Sequence, residues 1–226
     1  MLKGVIFDLD GTLTFTEELH YKAFAAIFKE YGIDFTYEEE VTKYAGSGSE
    51  NIFTKVFADR GKAVSAEEIK QLCAKKKELY KKIVQESEIP VVVGARELVE
   101  KIHELGVKKI IATGNSDMQA VHLVLEKAKL FKYFPEILSI KEVPRGKPFP
   151  DVFLEAAKRI GCEPWECVVF EDSINGVEAA YAAGITCVAL ETSTHREDLL
   201  KAGAESVIRN YLEIIHNPLF YAKVPN

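Results

Sequence analysis

Cysteine is scarce and unpatterned in this chain. Cys73, Cys162, Cys167 and Cys187 make no C-x-x-C pair, and none has a histidine nearby at ligand spacing. That leaves out the common zinc modules and points to reduced thiols, so a cytoplasmic location is expected. Positive charge is also in deficit. Lysine and arginine number 29 against 35 acidic residues, a formal net charge of −6, which argues against nucleic acid and membrane surfaces as partners. No apolar run approaches the ~18 residues of a membrane span. Met1-Leu2-Lys3 leads directly into a strand-like stretch without the longer apolar core of a signal peptide. There is no internal repeat and no low-complexity segment. What remains is 226 residues, enough for one large domain or two smaller ones with an ample core.

The most informative stretch lies near the start, Gly4-Val5-Ile6-Phe7-Asp8-Leu9-Asp10-Gly11-Thr12-Leu13-Thr14. Val5, Ile6 and Phe7 form a short β-branched and aromatic run suited to a strand buried on both faces. The run ends in two carboxylates spaced i, i+2, and Gly11 then permits a sharp turn. Ligands of open α/β sheets bind beyond the carboxyl ends of the strands, where Asp8 and Asp10 fall. Carboxylates this close do not both ionise freely; one holds a proton or a cation neutralises the pair. Either outcome suits phosphoryl transfer, with one Asp attacking phosphorus and the other serving the leaving oxygen as acid. A calcium loop fails on spacing. Counted from Asp8, the positions that need Gly and Glu hold Leu13 and Leu19.

Helical periodicity takes over after Thr14. Leu19, Ala23, Phe24, Ile27, Phe28 and Tyr31 recur with a 3.6-residue period until Gly32. A polar start at Thr36 and an acidic first turn predict a second helix ending near Gly46. Residues 46–51 read as a loop between helices. Their G-x-G lacks the preceding strand and third glycine of a dinucleotide site. Further helices are expected at about 50–60 and 65–86, the latter opened by a Ser65–Glu68 capping box. Its Lys75-Lys76-Lys77 run reads as a solvated face. Residues 15–88 are therefore expected to form an all-helical insert, flanked by a core domain of residues 1–14 and 89–226. From Pro90, helices at about 95–104, 117–128, 151–160 and 196–202 alternate with strands at 108–113, 137–140, 168–170, 185–190 and 206–208. This rhythm predicts an α/β fold with a doubly wound, mostly parallel sheet. The tail from His216 reads as irregular.

Polar groups suited to one task gather at the strand ends: Asp8 and Asp10 after the first, Thr113 at the second, Lys147 after the third, Glu171 and Asp172 at the fourth. A hydroxyl donor, an ammonium and four carboxylates at one sheet edge call for a hard cation, and oxygen ligation with phosphate points to Mg²⁺.

With these motifs the chain resembles the haloacid dehalogenase (HAD) superfamily of phosphotransferases over nearly its full length. The matching motifs are Asp8-Leu9-Asp10-Gly11-Thr12, Thr113, Lys147-Pro148-x-Pro150-Asp151 and Glu171-Asp172-Ser173-x-x-Gly176. The helical insert is similar to the cap domain of the β-phosphoglucomutase-like branch. The acid at Asp10 favours phosphoryl transfer over dehalogenation. The resemblance implies that Asp8 is the nucleophile, forming an aspartyl-phosphate, and that Asp10 is the acid and then the base. It also implies that Thr113 and Lys147 bind phosphoryl oxygens. Mg²⁺ would be held by Asp8, Asp10 through its backbone carbonyl, and Asp172, with Glu171 nearby through water.

The implied substrate is a small phosphomonoester such as a sugar phosphate, and a monomer is the default expectation. Substrate contacts are expected from Thr113, Gly114, Asn115, Lys147 and His20. His20 would position Asp10 or else serve as a surface helix residue, and Asn115 with Ser116 would line the pocket or cap the next helix. Lys141 and Arg145 read as solvated loop charges and Trp165 as packing. Two departures separate the chain from the mutases: Ser49 and Ser116 stand where those enzymes hold a distal phosphate with Arg and use Lys. Relatives also carry Asp-Ser or Asp-Thr where this chain has Phe15-Thr16. The expected activity is a Mg²⁺-dependent phosphatase. The alternatives are a β-phosphoglucomutase-type phosphohexomutase and a non-catalytic phosphometabolite-binding protein.

Overall fold

The computed structural model describes residues 2–44 and 48–215. The chain divides into two compact units, one of residues 1–15 and 89–226 and the other of residues 16–88.

The first unit is built on six parallel strands: β1 (Gly4–Phe7), β2 (Lys108–Thr113), β3 (Ile137–Ser139), β4 (Cys167–Glu171), β5 (Thr186–Leu190) and β6 (Ser206–Ile208). They lie in the order β3-β2-β1-β4-β5-β6, so the strand order reverses at β1. This is the doubly wound α/β arrangement. As the apolar run requires, β1 is buried along its whole length. Its side chains alternate between two cores. Ile6 joins Ile110, Ala112, Val169 and Cys187 on one face. Phe7 stacks on Phe170 at 5.2 Å on the other, where Tyr211 meets both rings edge-on.

Register then sets the site. Phe7 pairs with Ile111 of β2 and Phe170 of β4. The next residues, Asp8 and Glu171, therefore emerge side by side at the carboxyl edge, and Asp8 N–H donates to the Phe170 carbonyl at 3.0 Å.

The second unit holds α1 (Glu17–Glu30), a short α2 (Tyr37–Glu39), α3 (Ser49–Asp59) and α4 (Ala66–Glu86). Its core is aromatic: Phe24, Phe28, Phe35, Phe53 and Phe57 interlock with ring centroids 4.8–6.4 Å apart. Each such side chain contributes about 1.5–3 kcal/mol by burial. The helix expected from Thr36 begins on a capping box with Glu39, but after Glu39 it widens into a π-helical turn at Glu40–Tyr44. Its expected end at Gly46, and part of the 46–51 loop, lie outside the described residues, as does the tail from His216. The Ser65–Glu68 capping box is present, with both reciprocal bonds made.

The Lys75–Lys77 run needs a correction. The buried stripe of α4 runs Ile69, Leu72, Lys76, Tyr80, Val84, so helical spacing carries Lys76 onto the inner face, 5% exposed. Three consecutive lysines point in three directions on a helix, and only the outer two meet solvent.

The remaining helices belong to the first unit: α5 (Ala95–Glu104), α6 (Met118–Lys127), α7 (Asp151–Arg159), α8 (Ile174–Ala182), α9 (Arg196–Ala202) and α10 (Leu212–Ile215). Trp165 does not pack. It sits in a single 3-10 turn at Pro164–Glu166 and is 74% exposed, because that turn crosses the surface before β4 enters the sheet.

Candidate active site

The turn that follows β1 is closed by its own backbone. Gly11 takes φ +78°, Gly11 N–H donates to the Thr14 carbonyl at 2.7 Å, and Leu13 and Thr14 both bond back to Leu9. Glycine reaches this left-handed conformation without a steric penalty, which makes the sharp exit after Asp10 possible.

Lys147 occupies the centre of the charge cluster. Its Nζ lies 2.5 Å from Asp8 Oδ1 and 2.6 Å from Glu171 Oε1, with all three side chains nearly sealed from water. Burial raises the Asp8 carboxyl to about 7. The Glu171 and Asp10 carboxylates push the same way, and only Lys147 opposes them. Burial pulls the Lys147 ammonium down, but Asp8 and Glu171 outweigh it and hold it above the usual lysine range. One ammonium thus faces three carboxylates, and the cluster stays short of positive charge.

Glu171 is held from several sides. While Oε1 accepts from Lys147, Oε2 accepts from the backbone N–H groups of Asp172 and Ser173 and from the Ser173 hydroxyl, at 2.7–2.9 Å. Its carboxyl therefore serves Lys147 and the β4–α8 turn. Asp172 accepts from Thr12 Oγ1 at 3.0 Å on one oxygen and from the Ser193 hydroxyl on the other. Thr12 itself is gripped through its carbonyl by the buried Tyr211 hydroxyl at 3.1 Å.

Thr113, at the end of β2, is fully buried. Its Oγ1 accepts from Asn115 N–H at 3.0 Å, which leaves the hydroxyl proton to be donated elsewhere. Asn115 Oδ1 accepts from Asp117 N–H, and Asp117, rather than Asn115 or Ser116, caps α6. Around Gly114 there is open space where a side chain would stand. Arg145 is paired with Asp151 through two nitrogens and lies over the Phe149 ring, so it is less of a free loop charge than its sequence context suggests.

His20 belongs to the other unit. There it stacks on Tyr80 with centroids 4.0 Å apart, and its Nδ1 lies 2.5 Å from Lys76 Nζ. The structure thus joins Asp8, Lys147 and Glu171 directly, brings Asp10 into charge range, and ties Asp172 in through Thr12. Sequence reading passed over Thr192, Ser193 and Tyr211. The first two follow β5 and obey the same strand-end rule that picked out the others. Tyr211 carries no local signal at all.

Comparison with known proteins places the chain. The family model for haloacid dehalogenase-like hydrolases matches residues 5–190. Protein CbbY of Rhodobacter capsulatus is 31% identical over 201 residues, covering 87% of this chain and 88% of the relative. Fructose-1-phosphate phosphatase YqaB of Escherichia coli is 30% identical over 186 residues, 82% of this chain and 94% of the relative. A crystal structure of a family IA, variant 3 hydrolase from Entamoeba histolytica superposes with a TM-score of 0.86 at 28% identity, covering all of both chains. The chain belongs to the haloacid dehalogenase-like hydrolase family and is an enzyme of that family. Relatives within it are named as phosphatases, and the superfamily generally uses Mg²⁺.

Proposed function

We propose that this enzyme is a Mg²⁺-dependent phosphatase of a small phosphorylated metabolite, with a sugar phosphate as the favoured class, acting through an aspartyl-phosphate on Asp8. The observation that carries the reading is the buried contact of Lys147 with both Asp8 and Glu171. A nucleophilic carboxylate needs to stay ionised in a dry site. A fixed ammonium beside it also serves the equatorial oxygens of an incoming phosphoryl group.

The donor set fits Mg²⁺. Asp8 is raised to about 7 by burial and by the Glu171 and Asp10 carboxylates, so the cluster gains from added positive charge. Among the described residues no three acidic, histidine or cysteine side chains form a ready-made metal cage. Mg²⁺ is commonly held by one or two carboxylates, substrate phosphate and water rather than by such a cage. Asp8, the Asp10 backbone carbonyl and Asp172 would hold it, with Glu171 outside the direct ligands because its oxygens serve Lys147 and the β4–α8 turn. When bound, the ion supplies charge neutralisation that lets a phosphate dianion approach an acidic cluster.

Asp8 attacks phosphorus in line with the leaving oxygen. Asp10 protonates that oxygen as the bond breaks and then takes a proton from the water that opens the acyl phosphate. Thr113 donates its hydroxyl proton to a phosphoryl oxygen, and Lys147 stabilises the charge gathered on the others. Gly114, with open space around it, and Asn115 line the substrate side. The helical unit serves as the cap, with His20 as its substrate-contacting residue. Ser49 and Ser116 support hydrolysis over the mutase alternative, because a retained bisphosphate needs cations, each charged contact being worth roughly 1.5–3 kcal/mol.

The test is phosphate release from a panel of sugar phosphates, nucleotides and pyrophosphate, with and without Mg²⁺, using Asp8→Asn as control. Release that needs both Mg²⁺ and Asp8 is expected. Conversion of β-glucose 1-phosphate to glucose 6-phosphate without free phosphate would replace this reading with the mutase. Binding without turnover across the panel would replace it with a binding protein.

A further inference from the structure

The loop after β5 touches the site with residues outside the four motifs matched above. Thr192 Oγ1 donates to the Gly11 carbonyl at 2.6 Å, and the adjacent Ser193 Oγ donates to Asp172 Oδ2. Gly11 belongs to the turn that carries Asp10, while Asp172 directly follows β4. The two neighbouring hydroxyls therefore span the aspartate turn and the acid opposite it.

The loop is anchored before it reaches them. Glu191 N–H donates to the Ile208 carbonyl at 2.9 Å, and Arg196 bonds both the Val207 carbonyl and the Glu191 carboxylate. Thr12 completes the bracket by donating to the other Asp172 oxygen at 3.0 Å. Asp172 thus receives a hydroxyl on each oxygen, which fixes the plane of its carboxylate.

We infer that Thr192 and Ser193 are positioning residues that set the separation and orientation of the Asp10 turn and the Asp172 carboxylate for divalent-cation binding. This rests on the Mg²⁺ reading above for the identity of the ion. Groups that orient metal ligands commonly change affinity by 10–100-fold when removed.

The experiment measures Mg²⁺ binding to the full chain by calorimetry for wild type, Ser193→Ala, Ser193→Thr and Thr192→Val. Thermal melting is recorded without metal, and phosphate release from p-nitrophenyl phosphate is followed across Mg²⁺ concentrations. Ser193→Ala and Thr192→Val should each weaken Mg²⁺ binding about tenfold. The Mg²⁺ concentration giving half-maximal rate should rise by the same factor while kcat falls far less. Metal-free melting should be unmoved, and Ser193→Thr, which keeps the hydroxyl, should bind as wild type does.

Unchanged Mg²⁺ affinity in both hydroxyl-lacking variants overturns the inference, as does a wild type that binds no Mg²⁺. A lowered melting temperature without a change in affinity would make the loop merely structural and also overturns it. Failure of the phosphatase reading looks different: wild type would bind Mg²⁺ and the variants would weaken that binding, yet no phosphate would be released.

Discussion

A methyl group on Gly176 would stand 1.9 Å from the Glu171 carboxyl carbon. A side-chain end normally swings aside, but this one is fixed by Lys147, Ser173 and two backbone N–H groups. Gly176→Ala should gain up to ~1 kcal/mol of helix propensity. It should lose more by displacing Glu171, for a net destabilisation of about 1–3 kcal/mol. Because Lys147 loses its second partner, phosphate release should fall at least about tenfold. Melting temperature and turnover, read on the same preparation, check both effects.

Lys147→Ala leaves two buried carboxylates facing each other. Breaking a buried pair in this way costs about 3–5 kcal/mol. The loss should depend on pH, because Asp8, already raised to about 7, is raised further without the ammonium. Protonation removes the repulsion, so the variant should approach wild-type stability near pH 5.5 and fall furthest below it at pH 8. Equal destabilisation at both pH values would show that Asp8 does not carry the effect.

Glu40 offers a pH effect away from the chemistry. Burial raises its carboxyl to about 7 against the pull of Lys76, and its Oε2 has no hydrogen-bond partner. The folded state then binds the proton more tightly than the unfolded chain. Stability is highest below the unfolded pKa and falls as pH rises through the window from about 4.5 to 7. Glu40→Gln should remove that slope and raise stability at pH 8 by about 2 kcal/mol. Denaturant melts at pH 5 and pH 8 test it, and a variant that keeps the wild-type slope refutes the assignment.

Thr113→Val keeps the shape of a fully buried side chain but deletes the hydroxyl. The Asn115 N–H loses its acceptor, a cost of about 1–3 kcal/mol. The phosphoryl group loses a donor, which should lower kcat/KM about a hundredfold. Thr113→Ser should retain most of the rate. If valine and serine variants turn over alike, the hydroxyl has no part in the reaction.

Much of this protein was legible in the order of its residues. Runs of Val, Ile and Phe ending in acids, and helices punctuated by Gly32 and Gly106, depend on neighbours within a few positions. Local sequence therefore determined the alternation of strand and helix, the placement of Asp8, Asp10, Thr113 and Glu171 at or just after strand ends, and that of Lys147 in the loop after β3. Tertiary structure decided what those residues do to one another. Lys76 reads as one of three solvated lysines until its helix docks and buries it against Tyr80 and Phe24. Trp165 reads as packing until its turn is seen to cross the surface. Tyr211 stands 199 positions from Thr12, and Ser193 21 from Asp172. Such partners are set by strand order and register, which close loops over distances no local pattern encodes. The charge balance around Asp8 likewise arises only when burial removes water from groups that each look ordinary alone.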